Sequence, residues 1–235
     1  KKYSITPYVS FENPDAYVMQ IRYQVDDGSE IIYIINSHLH RSHKTRITFS
    51  DMIVRNRFGW VWDPESGERY RVSLSNDSSL DLDMGPGDSL MFVFSRSRSG
   101  PPWKPVPQQG PDTRILDTGW TAEFRHCREG SVKTVRMDKL QDIKNLPEFV
   151  HFSGTVVYRN TFVSDGPSLH FLNLGKVYGV SVVKINGREC GVRWYGRRIY
   201  PVSDFLVTGT NTIEISVVTS MGNYMKSLTD NPIAQ

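Results

Sequence analysis

The chain has 235 residues, 38% hydrophobic and 23% charged, with a formal net charge of +3. That length and apolar content permit one large all-β domain or two domains of roughly 100 to 130 residues, each able to bury a core. The near balance of charge excludes a polybasic surface for nucleic acid or membrane, and no apolar run approaches the ~18 to 20 residues that span a bilayer.

The opening stretch KKYSITPYVSFENP has neither an initiator Met nor the apolar core of a signal peptide, so the chain reads as a cut from a longer polypeptide. The first half then predicts short strands at 17–25, 30–36, 45–49, 59–62, 70–74 and 89–94. Asp27-Gly28 marks a tight hairpin between the first two. In the last, Leu90, Phe92 and Phe94 share one face while Met91 and Val93 make the other face apolar, which predicts a strand buried on both sides.

After Phe94 comes SRSRSGPPWKPVPQQGPD, rich in proline and without periodicity, which predicts a semi-rigid connection. The expected organisation is therefore a small antiparallel β-sandwich over 1–98, a linker over 99–112 and a second domain over 113–235. Strands resume at 115–124. The best helix candidate, 138–145, stops before Pro147.

From Gly154 the pattern predicts strands at 155–163, 168–174, 179–185, 189–194 and 212–219. Asn186-Gly187 accepts positive φ at low steric cost, so a type I′ turn should join the third of these to the fourth. The architecture expected is all-β, two β-sandwiches in series.

Two cysteines, Cys127 and Cys190, are too few for a disulfide scaffold and read as two buried free thiols, with a Cys127–Cys190 bridge as the alternative that spacing alone does not decide. His38, His40 and His43 lack acidic or cysteine companions at ligand spacing, and Arg41 and Lys44 repel a cation, so they read as loop histidines. Trp62-Asp63-Pro64-Glu65-Ser66-Gly67-Glu68 holds three carboxylates near tryptophan, yet Asp, Pro and Gly at these positions describe a reverse turn better than an acid/base pair. Asn76-Asp77-Ser78 matches the N-glycosylation tripeptide and is equally explained as a surface turn. No phosphate loop, nucleophile elbow or zinc-protease pattern occurs.

The segment 193–200 is different in kind, because Arg193, Trp194, Tyr195, Arg197, Arg198 and Tyr200 bring aromatic rings and guanidiniums together just after a strand. Aromatic faces stack on the C–H faces of sugar rings, and Arg donates fixed hydrogen bonds to hydroxyls or carboxylates. The competing reading makes Trp194 and Tyr200 core plugs. Candidate carbohydrate contacts are Arg193, Trp194, Tyr195, Arg197 and Arg198; no catalytic residue and no metal ligand is assigned.

FSGTVVYRNTF at 152–162, LNLGKVYGVSVVKINGRECG at 172–191 and YPVSDFLVTGTNTIEISVV at 200–218, in this order, resemble the galactose-binding-like jelly roll of multidomain bacterial glycoside hydrolases. The resemblance is to the β-galactosidase/β-glucuronidase group and to the α-L-rhamnosidase group called family 106. The WDPESGE turn and the tail GNYMKSL with DNP also resemble the rhamnosidase-like group, in which a small β-sandwich precedes the jelly roll.

This resemblance implies a non-catalytic C-terminal region, a jelly roll lacking its last strand here, and catalytic carboxylates in an upstream domain outside this chain. It also implies carbohydrate and that upstream domain as partners, and a secreted or periplasmic parent. The alternative is a purely structural scaffold or subunit-interface module without ligand binding. Such jelly rolls often hold a structural Ca²⁺; Asp112, Asp117 and Glu123 are the nearby acids, but their spacing has no ligand-loop pattern, and the metal stays unassigned.

Overall fold

In the computed structural model, residues 6–105, 113–167, 169 and 171–228 are described, and the chain forms two compact units, 1–108 and 109–235. The first contains β1 (Val9–Phe11), β2 (Val18–Gln24), β3 (Glu30–Asn36), β4 (His43–Phe49), the helical turn α1 (Asp51–Val54), β5 (Phe58–Trp62), β6 (Arg69–Arg71), β7 (Ser79–Met84) and β8 (Ser89–Ser95). Their antiparallel ladders make a three-stranded sheet, β1-β4-β7, and a five-stranded one, β2-β3-β8-β5-β6.

Period-two alternation decides which side chains meet between these sheets. Ile32 and Ile34 from β3, Phe92 and Phe94 from β8 and Ile47 and Phe49 from β4 form one buried cluster. The Phe49 ring stands edge-on to Phe92 and Phe94, with centroids 5.3 and 4.7 Å away. One charge enters this interior: Glu30 is 1% exposed and receives two 2.8 Å hydrogen bonds from Arg22.

On the opposite, apolar face of the five-stranded sheet, Val93 of β8 is buried as expected, while Met91 is half-buried. Along edge strand β2, Met19, Ile21 and Tyr23 are 50%, 65% and 66% exposed. At the far side, Trp60 is buried because Gly100 lies flat on its indole; a Cβ there would come within 2.4 Å of the ring. Arg71 N–H donates to Pro101 O at 2.7 Å, and Trp103 N–H donates to Arg71 O at 2.7 Å. Residues 101–103, within the stretch expected as linker, therefore dock on the open edge of β6, and Trp103 packs against the core of this unit. Residues 106–112 of that stretch lie outside the described residues.

The second unit contains β9 (Thr118–His126), β10 (Val132–Lys139), two 3-10 turns (Ile143–Asn145 and Pro147–Phe149), β11 (Gly154–Asp165), β12 (Phe171–Asn173), β13 (Val180–Ile185), β14 (Arg188–Arg193), β15 (Ile199–Pro201), a 3-10 turn (Ser203–Phe205), β16 (Thr208–Val218) and the helical turn α2 (Gly222–Met225). A six-stranded antiparallel sheet runs β10-β9-β11-β16-β13-β14, and β12 pairs with β15 apart from it. Trp120, Phe124, Val156, Val183, Ile213 and Ile215 point from the large sheet into a core closed by Phe149, Phe152 and Tyr200. This is the expected all-β jelly roll.

The helix expected at 138–145 does not form. Met137 is buried and pairs with Trp120, and the ladder carries on to Lys139 opposite Thr118, so Asp138 and Lys139 are drawn into β10. What remains before Pro147 is one 3-10 turn, capped by Asp142, whose carboxylate accepts the Lys144 N–H at 3.1 Å. The Asn186-Gly187 turn forms as expected, with φ of 52° and 76° at its two residues and Ile185 paired to Arg188.

Candidate functional site

Several tempting residues resolve into local structure. Asp63 Oδ1 accepts the Glu65 N–H at 2.9 Å, its carbonyl accepts the Gly67 N–H at 2.8 Å, and Gly67 has φ of 75°, so WDPESGE is a turn joining β5 to β6. His38 Nδ1 accepts the N–H groups of His40 and Arg41 at 3.1 and 2.9 Å, while His43 Nε2 lies 2.8 Å from Asn13 O. Ser78, in the glycosylation-like tripeptide, has φ of 61° in a turn where Ser75 and Ser79 hydroxyls bond Asp77.

Among the acids considered for calcium, Asp117 pairs with Lys139 at 3.3 Å, and Glu123 pairs with Arg125 and Arg159. The Arg125 hydrogen bond, reinforced by Arg159, holds the Glu123 carboxyl below the usual range. Asp112 lies outside the described residues, and among those described no group of three or more His, Cys, Asp or Glu is arranged to hold a metal ion.

Both cysteines are free, but only Cys190 is partly buried; Cys127 is exposed, with its Sγ 3.5 Å from Met221 Sδ. The expectation of two buried thiols fails for Cys127 because β9 ends at His126 and the turn that follows carries the side chain to the surface. Burial pushes the Cys190 thiol up to about 11.

The segment after β14 separates into a braced frame and an open surface. Tyr200 is wholly buried, and its OH donates to Ser181 O at 2.8 Å while lying 2.7 Å from Ser181 Oγ. Arg198 is 5% exposed, and its guanidinium donates to Gly196 O at 2.9 Å and Gly179 O at 3.0 Å, tying the loop to the start of β13. Arg193 lies over Tyr200, its guanidinium carbon 5.9 Å from the ring centroid.

Trp194 is outside this frame, 56% exposed, with Tyr195 edge-on to it at 4.8 Å. Arg197 is half-buried between Gly196, at φ of 57°, and Arg198. Thus the core-plug reading applies to Tyr200 and the open-ring reading to Trp194. Tyr178, which precedes the braced Gly179, is 71% exposed; no local sequence signal separates it from a core tyrosine. An exposed indole with a second ring beside it and guanidinium groups near can stack on an apolar ring face and donate to oxygen.

No family model matches the chain, and no curated protein matches it. Among solved structures, a rhamnosidase from Novosphingobium sp. PP1Y matches 97% of this chain and 22% of its own, with 20% identity and a TM-score of 0.74. An FMN-binding β-glucuronidase from Faecalibacterium prausnitzii L2-6 matches 45% of this chain and 17% of its own at 23% identity and a TM-score of 0.35. An α-L-rhamnosidase from Dictyoglomus thermophilum matches 83% of this chain and 23% of its own at 13% identity and a TM-score of 0.27. The chain thus spans about a fifth of the rhamnosidase it matches best by TM-score among these three, and its fold is that of the matching region.

Proposed function

We propose that this chain is a non-catalytic region of a secreted or periplasmic glycoside hydrolase, whose jelly roll contacts glycan through the loop that carries Trp194, Tyr195 and Arg197. The observation that carries the reading is the contrast within one loop: Arg198 and Tyr200 hold the backbone from inside while Trp194 presents its indole outside. A rigid, exposed aromatic surface costs little entropy when a sugar ring stacks on it. The rhamnosidase likeness, at 20% identity, supports this setting through fold.

The test is calorimetric titration of the chain with plant-type oligosaccharides, alongside Trp194→Ala. Binding that weakens by about tenfold or more in the variant, as loss of one stacking contact of ~1.4 kcal/mol implies, supports the proposal. Absence of heat from every oligosaccharide refutes it.

The exposed Met19, Ile21 and Tyr23 on β2 favour a second role that is compatible with the first: scaffolding for another domain of the same polypeptide. In the full polypeptide, Ile21→Glu should then lower the melting temperature, while the isolated chain melts as before. An unchanged melting temperature in both rules this role out.

A further inference from the structure

The loop that carries Trp194 leaves the six-stranded sheet at the same end as the β9–β10 turn. Register shows this directly: Ser181 pairs with Arg193 and Val217, Val217 with Val156, and Val156 with Phe124. From β14 to β9 there are four strand spacings, about 19 Å. The β9–β10 turn borders a cavity of about 300 Å³.

The floor of this cavity is Phe124, Phe149 and Phe152, with the first two stacked at 3.7 Å. Its walls include two rings of mixed character, His126 and Tyr224, edge-on to each other at 5.2 Å. His126 Nδ1 accepts the N–H groups of Arg128 and Glu129 at 3.3 and 3.2 Å. That arrangement puts the neutral imidazole proton on Nε2, which makes it a donor.

At the rim, Glu129 offers carboxylate acceptors; the Ser227 hydroxyl donates to Tyr224 O at 2.6 Å and the Ser131 hydroxyl to Glu129 at 3.4 Å, so both oxygens face a ligand as acceptors. The Lys133 ammonium is paired with Glu148, no arginine is among the described lining residues, and the Arg128 guanidinium carbon lies 6.0 Å from the Tyr224 ring centroid. Such a lining disfavours an anion, since the Glu129 and Glu148 carboxylates border it and the one lysine ammonium among the described lining residues is paired. It disfavours a purely apolar ligand as well, because the rim groups would lose water without replacement hydrogen bonds. Apolar rings below, with the His126 donor and the Glu129 and serine acceptors above, suit a ring with one C–H face and several hydroxyls, and the volume lies at the small end of ligand sites.

We propose that this cavity is a second carbohydrate subsite, which takes a single neutral monosaccharide ring and is independent of the contact at Trp194. His126 donates to it, Glu129 accepts from it, and the Tyr224 ring bounds its apolar side.

The ¹⁵N-labelled chain titrated with millimolar L-rhamnose, D-galactose, D-glucose and D-glucuronate tests this. At least one neutral sugar should shift the amide signals of His126, Glu129 and Tyr224. Glu129→Gln should weaken that binding by about five- to tenfold, as loss of a hydrogen bond to a carboxylate implies, and Trp194→Ala should leave it unchanged. Tyr224→Ala should also weaken it; if that variant unfolds, Glu129→Gln, in an exposed turn, decides alone. The proposal is overturned if no neutral sugar moves these signals, if glucuronate alone does, or if Glu129→Gln binds as tightly as the parent chain. Loss of oligosaccharide binding at Trp194 with this site intact would refute only the earlier reading.

Discussion

Arg198 and Trp194 stand four residues apart and do opposite things. The Arg198 guanidinium is withdrawn from solvent and bonded to two carbonyls, so its removal leaves Gly179 O and Gly196 O without those donors. Arg198→Ala should cost about 2 to 4 kcal/mol in urea unfolding, given the loss of two charge-assisted hydrogen bonds. Trp194→Ala, at a side chain more than half exposed, should change stability by less than about 0.5 kcal/mol. Equal losses in the two variants would contradict this division of the loop. The sequence places both residues in one aromatic and basic cluster and cannot separate them, because the sorting depends on Ser181 and Gly179, which are remote in the chain and adjacent only after β13 is laid down.

For whole elements, the legible parts are those where one face is buried and the alternation is clean. Glu30–Asn36 is predicted to the residue, and the Asn186-Gly187 hairpin follows from turn chemistry alone. Strand β10 is not legible: Lys133, Arg136 and Asp138 crowd a sheet edge with charge, and only Met137 points fully inward. Strand β15 has three residues, too few to show a period.

Two glycines flank β13 and differ in consequence. At Gly179, φ is 125° and an added Cβ would lie 2.1 Å from Val218 O, whereas at Gly187, φ is 76° with nothing within 4 Å. Gly179→Ala should therefore destabilise by more than about 3 kcal/mol, and Gly187→Ala by about 1 kcal/mol. Similar costs in chemical denaturation would show that backbone conformation alone, without the clash, governs Gly179.

Across the molecule, the perturbed acids and bases define a window of stability. Asp15 and Asp27 are held below the usual carboxylate range first by backbone N–H groups, Asp77 by the Ser79 hydroxyl and Glu123 by Arg125. Their contribution is present above the unfolded values near pH 4 and is lost as pH falls through the folded ones. At the other end, burial lifts Tyr158 from 10.0 to about 12 and Cys190 from 9.0 to about 11. Raised folded values contribute stability below the unfolded ones, and that contribution disappears as pH climbs from about 9 to 12. Thermal midpoints should be level between about pH 5 and 8 and drop on both sides, with Tyr158→Phe reducing the alkaline drop. An alkaline limb unchanged by that substitution would remove Tyr158 from the account.

The docking of residues 101–103 on β6 has a practical consequence for dissecting the chain. Composition suggests cutting at residue 98, at the start of the proline-rich stretch, but a fragment ended there would uncover the Trp60 indole and remove both backbone hydrogen bonds of Arg71. It would also pull Trp103 out of the hydrophobic cluster that it joins. A stretch with the composition of a tether is thus the last structural layer of the unit before it, and an excised first half stays whole only if the cut falls beyond Trp103.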